Sequence, residues 1–417
     1  MSQTVCVIGA GRTDFKRHIR REGKTLRDLI LEAGTAALAE SGVDPTDIDA
    51  GVVGSFASGQ FTKQLHLGAI LTELDPRMHG LPTFHVEAAC ASGGVAVLTA
   101  AQLIMGGIHD VVLVVGVEQQ KTMPPAAGAE VLGAAGDFAT ESAQFGDYMF
   151  PKLFARIAQI YRGHYPLTDE DLARVAVKNR AHARLNPLAQ MRDVPLTLAD
   201  ASTVSESNPR LAPPLKATDC SQITDGAAAV VLCSERFAEQ LARRPVVRLL
   251  GYGHTTDYLP LWRKDVPHFH AAARAGRLAF SMANLKPRDL HGVEVHDCFT
   301  FSEILAYEIL ELAAHGEGPQ LLATGATTLP QVRDEIGFSA LRSPSSALCP
   351  PSLPVNASGG LIGDGHPVGA TGVRQVVEAY RQITGAAGRY QIDGAARMLT
   401  YNVGGSFTSN VVMIWGK

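Results

Sequence analysis

The chain is 417 residues long, enough for two or more domains with sizeable cores. Hydrophobic residues make up 46% and charged residues 19%, with a net charge of −4. That balance excludes a disordered chain and gives no electrostatic basis for nucleic acid or another polyanionic partner.

The six cysteines (Cys6, Cys90, Cys220, Cys233, Cys298, Cys349) are scattered, with no C-x-x-C or zinc-ligand spacing. They read as individual thiols in a reducing compartment, and no metal centre is expected. No basic-plus-apolar leader opens the chain, no apolar run reaches transmembrane length, and Trp415-Gly416-Lys417 is not a peroxisomal address. The expectation is a soluble cytoplasmic protein with no membrane insertion.

The opening Val5 to Thr13 pairs a strand with a Gly-x-Gly, but Asp14 stands where a dinucleotide fingerprint needs its third glycine. The charged stretch up to Gly23 reads as a loop, so the cofactor reading is rejected. A repeat explains the segment better. The same pattern returns 242 residues later as Val247 to Gly253 with Thr255, and at that offset Pro45-Thr46-Asp47-Ile48 matches Pro287-Arg288-Asp289-Leu290. Helical segments precede both Pro stretches (Leu26 to Leu38, Ala271 to Met282), and strands follow them (Ala50 to Val53, Gly292 to Val295). Two similar α/β halves are therefore expected, closing with the apolar strands Asp225 to Leu232 and Thr408 to Ile414.

Between the halves' shared elements, the strand Leu81 to Val86 leads into the turn at Cys90 and an Ala-rich buried helix, Val95 to Met105. A cysteine in the first turn of a helix has N–H groups and the dipole to favour its thiolate. A packed, inert cysteine is the plainer alternative for such a stretch. An insertion at 121–216 starts Pro/Ala/Gly-rich and then carries helical patterns at Lys152 to Gly163 and from Thr168, with a capping box, to about Leu185. Eight Lys/Arg against three acids between Lys152 and Arg192 form either a solvated face or an anion site.

The second half adds three stretches. Val295-His296-Asp297-Cys298-Phe299 ends a strand before an amphipathic helix with Ile304, Leu305, Ile309 and Leu312. Gly359 to Gly372 holds six glycines in fourteen residues around His366-Pro367, and Tyr401-Asn402-Val403-Gly404-Gly405-Ser406 is a glycine turn. Together they supply a nucleophile, a base, a second thiol and a candidate oxyanion hole for acyl transfer.

Ala89-Cys90-Ala91-Ser92-Gly93, His296-Asp297-Cys298-Phe299 and Gly365-His366-Pro367-Val368-Gly369-Ala370-Thr371-Gly372 resemble the thiolase superfamily. The nearest resemblance is to thiolases of the sterol-carrier-protein-x type, similar to acetyl-CoA acetyltransferases. It implies an α/β fold of two βαβαβαββ halves in five αβαβα layers. The halves would be 1–120 with a closing strand in 217–243, and 244–417, with a coenzyme-A-binding loop domain at 121–216. It also implies an acyltransferase of lipid metabolism that forms or cleaves a C–C bond beside a CoA thioester, with no permanently bound cofactor.

In roles implied by the resemblance, Cys90 carries the acyl group, His366 activates it and helps to hold the enolate oxygen, and His296 stands where most thiolases orient a water with asparagine in that same oxyanion hole. The N–H groups of Cys90 and Gly404 would form the oxyanion hole, and Lys178, Arg180, Ser358 and Gly359 would contact substrate or CoA. Most thiolases carry a second catalytic cysteine in a Cys-x-Gly-Gly-Gly turn. Asn402 occupies that place, and in the sterol-carrier type the cysteine at Cys298 takes over. Asp364 stands where relatives often have lysine. A homodimer or dimer of dimers is implied. Two alternatives remain: a subunit dependent on a small OB-fold partner, and an initiating ketoacyl synthase, against which Cys298 and the Gly-His-Pro motif argue. No sterol-carrier domain follows the C-terminus of this sequence, and a lipid-transfer role is not expected.

Overall fold

The computed structural model describes residues 3–241, 246–338 and 350–417; Cys349 and the expected boundary between 243 and 244 lie outside the described residues. Eleven strands are described: β1 Val5–Arg12, β2 Ala50–Gly54, β3 Thr83–Val86, β4 Val111–Gln119, β5 Arg210–Ala212, β6 Leu215–Lys216, β7 Asp225–Ser234, β8 Val247–Thr256, β9 Gly292–Glu294, β10 Arg397–Gly404 and β11 Ser409–Gly416. Nine of them lie in the order β3-β2-β4-β7-β1-β8-β11-β10-β9, while β5 and β6 form a small hairpin.

The order is a palindrome of the repeat. β8, β11, β10 and β9 stand where β1, β7, β4 and β2 stand in the first half. The sheets of the two halves join where β1 pairs with β8, through Cys6↔Arg248 and Val7↔Val247. The counterpart of β3 is reduced to one parallel bridge, Val293↔Val355.

Alternation along the strands separates three apolar layers. In β1, Val5 and Val7 face the centre while Cys6 and Ile8 face outward. In β11, Val411, Met413 and Trp415 face the centre while Val412 and Ile414 face the opposite way. The helices Ser92–Met105 and Thr371–Thr384 fill the central layer, packed on each other. Leu26–Ser41 covers the outer face of the first half, and His270–Ala283 that of the second. The layers therefore run α, β, α, β, α. Sheets buried on both faces need near-continuous apolar strands, and all nine residues of β4 are buried.

The repeated Gly-x-Gly has a packing role. A Cβ on Gly9 would stand 2.5 Å from Ala37 O, and one on Gly11 2.6 Å from Ala37 N. In the second half, Gly251 and Gly253 meet Ala279 O and Ala275 O in the same way. Each covering helix lies backbone against strand, which only glycine permits.

The insertion carries the helices Met149–His164 and Asp169–Ala183, the latter opened by the expected capping box, with Thr168 Oγ1 donating to Asp171 at 2.6 Å. Ala173, Val177 and Ala201 form a small cluster within it, but its larger apolar side chains pack elsewhere. Leu153, Phe154, Ile157 and Tyr161 join one cluster with Phe299, Phe301 and Tyr307 of the second half. This corrects the expected amphipathic helix after Phe299. The helix Thr300–Ile309 is buried at every residue, and its acids face partners instead of solvent. Glu303 pairs with Lys178 at 2.6 Å, and Tyr161 donates to Glu308.

Candidate active site

Cys90 lies two residues before the helix Ser92–Met105, in a turn that puts Ala89 at φ +52°. A non-glycine residue holds that conformation only where its surroundings enforce it. Here Ser92 does so: its hydroxyl donates to Ala89 O at 2.6 Å and accepts from Ala88 N at 2.9 Å. The expected strand-turn-helix is present, with β3 starting at Thr83 and the helix at Ser92.

His366 comes from the glycine loop before the other central helix. Its N–H donates to Thr224 Oγ1 at 2.9 Å, and its Nδ1 lies 2.7 Å from Thr371 Oγ1. The two helix N-termini meet closely: a Cβ on Gly93 would stand 2.6 Å from Gly369 O, and one on Gly372 would strike Gly94 N. Glycine at these contacts is what brings two motifs far apart in the chain onto one point.

His296 follows β9, and its ring stands edge-on to that of His366, with centroids 5.0 Å apart. A ring nitrogen of each imidazole and Cys90 Sγ all lie within 4.8 Å of one another. Cys298 joins Cys90 and His366 in the wall of a cavity of about 410 Å³. Two sulfurs and two imidazoles thus converge from three separate segments.

The model of the thiolase N-terminal domain matches residues 5–236, and that of the thiolase C-terminal domain-like family matches 253–331 and 346–417. The chain belongs to the thiolase family. It is 35% identical to an acetyl-CoA acetyltransferase of Methanothermobacter thermautotrophicus, over 99% of each chain. It is 31% identical to the benzoylsuccinyl-CoA thiolase subunit BbsB of Thauera aromatica, over 97% of this chain and 96% of that one. Among solved structures, an Ltp2–ChsH2(DUF35) aldolase matches with a TM-score of 0.80 at 24% identity, covering 100% of this chain and 98% of that one. Human mitochondrial 3-ketoacyl-CoA thiolase in complex with CoA matches at 0.69 and 16% identity, covering 100% and 98%. The chain is a thiolase-type acyltransferase with the thiolase fold.

In this thiolase the resting cysteine is a thiol. Burial pushes Cys90 up to about 12, against the opposing pull of Gly405 N–H and its own N–H. The helix N-terminus expected to favour a thiolate is outweighed by desolvation. Burial, with Arg374 second, pushes His366 down to about 3, and burial takes His296 well below its usual value. Cys298 is pushed well above the thiol range, first by burial and then by Cys90. Cys90, Cys298, His296 and His366 are all neutral at rest, so a proton must move as charge develops on substrate.

The N–H of Gly405, at φ +63°, is among the groups that oppose the rise of the Cys90 thiol's pKa. Gly404 is still in β10, packed against Ala88 and Ala91, and the chain turns into the cavity one residue later.

The four expected CoA contacts lie elsewhere, in buried polar networks. Lys178 is fully buried, paired with Glu303 and donating to Val355 O at 2.9 Å. Arg180 is buried and donates to Val194 O. Ser358 donates to Glu294 at 2.8 Å, and Gly359, at φ +110°, packs on Ala183. None of the four lines the cavity. Of the basic run around them, Arg162, Arg174, Arg184 and Arg192 pair with Asp169, Glu170, Glu335 and Asp14, which fits a charge-balanced surface better than an anion site.

Asp364 belongs to the same kind of network. It accepts two 2.7 Å bonds from Arg12, which also reaches Glu378 at 2.8 Å. Asp297 takes the N–H groups of Leu361 and Ile362 and the amide of Asn179, bracing the glycine loop from below.

Sequence reasoning missed most of the cavity wall. Tyr148, Phe150 and Leu132 of the insertion face Ile223 and Phe299, and Phe154 stacks on Phe299 at 4.5 Å. No Lys, Arg, Asp or Glu is among the described residues lining the cavity. No helix among the described residues is long and apolar enough to cross a membrane.

Proposed function

We propose that this thiolase exchanges acyl groups with coenzyme A through a thioester on Cys90 and makes or breaks a C–C bond at the carbon next to a second thioester. The convergence of Cys90, Cys298 and His366 on one largely apolar cavity, with a His296 ring nitrogen within 4.8 Å of the Cys90 sulfur, is the observation that carries this reading. As Cys90 attacks an acyl-CoA carbonyl, its proton passes to His366 and on to the departing CoA thiolate, leaving acyl-Cys90 and free CoA. The N–H groups of Cys90 and Gly405 hold the oxyanion. Cys298 passes its thiol proton to His366, and the thiolate so formed removes the α proton of a second acyl-CoA, becoming a thiol again. The enolate, held by His296, attacks the acyl carbon and expels Cys90 as a thiolate, which takes back the proton held on His366. Thiolysis runs the same steps in reverse.

The apolar, uncharged wall suits a neutral acyl chain and the pantetheine arm. Incubation with acetyl-CoA and mapping of the adduct by mass spectrometry tests the assignment. The adduct is expected on Cys90, absent in Cys90→Ala, and present in Cys298→Ala with condensation lost. An adduct elsewhere would sink the reading.

A cytoplasmic homodimer is proposed alongside. β3 ends the sheet as an unpaired edge with Phe84 exposed, a template for a second copy. A subunit dependent on a partner is the second reading, favoured by Trp262, which is 74% exposed beside Tyr258 and Leu259. Acetoacetyl-CoA thiolysis by the purified chain alone would decide against it.

A further inference from the structure

We propose that Asn402 is a positioning residue that locks His296 in the tautomer with its proton on Nε2, making that histidine a fixed hydrogen-bond donor and leaving His366 as the base. The inference rests on the reaction proposed above and adds a division of labour between its two imidazoles.

The argument begins with two backbone groups whose roles admit no choice. Gly94 N–H can only donate, and it donates to Asn402 Oδ1 at 3.0 Å. Cys90 C=O can only accept, and it accepts from Asn402 Nδ2 at 3.0 Å. The amide is therefore oriented from both ends, with its oxygen toward Gly94 and its nitrogen toward Cys90. The same Nδ2 lies 3.1 Å from His296 Nδ1. An amide nitrogen has no lone pair to offer, so His296 Nδ1 must accept. Burial keeps the ring neutral, and a neutral imidazole with a bare Nδ1 carries its single proton on Nε2.

His366 has the opposite kind of neighbour. Thr371 Oγ1, 2.7 Å from His366 Nδ1, has Pro367 O at 3.0 Å to donate to, which leaves its lone pair for an Nδ1–H. His366 then presents a bare Nε2. With the rings 5.0 Å apart, one offers a proton and the other a lone pair to the space around Cys90. An enolate oxygen needs the first, and a thiol proton needs the second. Two histidines free to exchange tautomers would spend part of their time with both lone pairs or both protons facing the substrate, and neither arrangement serves.

The test reads the tautomer directly. Uniformly ¹⁵N-histidine-labelled enzyme is observed by side-chain NMR, with His296 assigned through His296→Gln. The wild type is expected to show an unprotonated Nδ1 and a protonated Nε2 at His296. Asn402→Asp has nearly the same shape but offers an acceptor, so the two resonances should exchange ranges. Condensation kcat should then fall about a hundredfold with KM little changed, the size of effect seen when one oxyanion donor is lost. A protonated Nδ1 at His296 in the wild type would overturn the proposal. So would an Asn402→Asp variant that loses kcat with its tautomer unchanged. The wild-type spectrum is taken without substrate, so it fails or succeeds separately from acyl labelling of Cys90.

Discussion

Lys264 Nζ donates to Ser406 O at 2.6 Å, to Ser406 Oγ at 2.9 Å and to Thr408 Oγ1 at 2.7 Å. All three acceptors lie just beyond the turn that aims Gly405 N–H at Cys90, and burial pushes the ammonium down to about 8. Lys264→Met should leave those acceptors unpaired, at about 1–3 kcal/mol each before relaxation. The acylation rate, followed by CoA release from acetyl-CoA, should fall about tenfold or more because the donor at Gly405 is no longer held. Unchanged acylation would mean the turn is rigid without this lysine.

Lys178→Met separates a buried ion pair from a substrate contact. Removing one partner of the Lys178–Glu303 pair strands a charge in the core, at about 3–5 kcal/mol. Urea denaturation should show that loss, while KM for acyl-CoA stays near the wild-type value. Adding Glu303→Gln to Lys178→Met should recover part of the stability. A raised KM in folded protein would restore Lys178 to the binding site.

His182 is buried, with Nδ1 at 2.9 Å from Asn356 O and Nε2 accepting from Leu329 N at 3.0 Å. Burial, then Lys178, pushes it down to about 3 from an ordinary 6.5. Between those values the unfolded chain holds a proton that the folded chain lacks, so stability falls as pH drops from 6.5 toward 3, by about 1.4 kcal/mol per unit. His182→Gln should be less stable than wild type at pH 7, and the gap should narrow at pH 5. A constant gap would show that the ring is not neutral in the fold.

The pH profile of acylation follows from the neutral resting pair. Cys90 keeps its proton up to about 12, and His366 stays unprotonated down to about 3. Neither changes state between pH 5 and 9, so single-turnover acylation should be flat across that window. A limb near pH 6.5 would mean that His366 titrates as an ordinary histidine.

What the sequence made legible was short-range chemistry and its repetition. Cys90, His296, Cys298 and His366 stand in compact motifs, and the offset copy of the Gly-x-Gly strand disclosed the second half before any contact was known. The residues that lie away from the cavity depended on partners far along the chain. Lys178 meets Glu303 only once the insertion helix lies on the helix after Phe299, and nothing near Lys178 announces that. Gly404 and Gly405 are neighbours that differ only in where the strand ends, which pattern reading resolves poorly. The helix Thr300–Ile309 looked amphipathic because buried acids and solvated acids are spelled with the same letters.

The apolar cluster that joins Phe154 to Phe299 and Phe301 has a practical consequence for engineering. Residues 121–216 cannot be transplanted between homologues as a cassette that carries substrate preference with it, because Leu153, Phe154, Ile157 and Tyr161 pack on side chains that the recipient supplies. A working chimera has to move the segment around 295–312 in the same exchange.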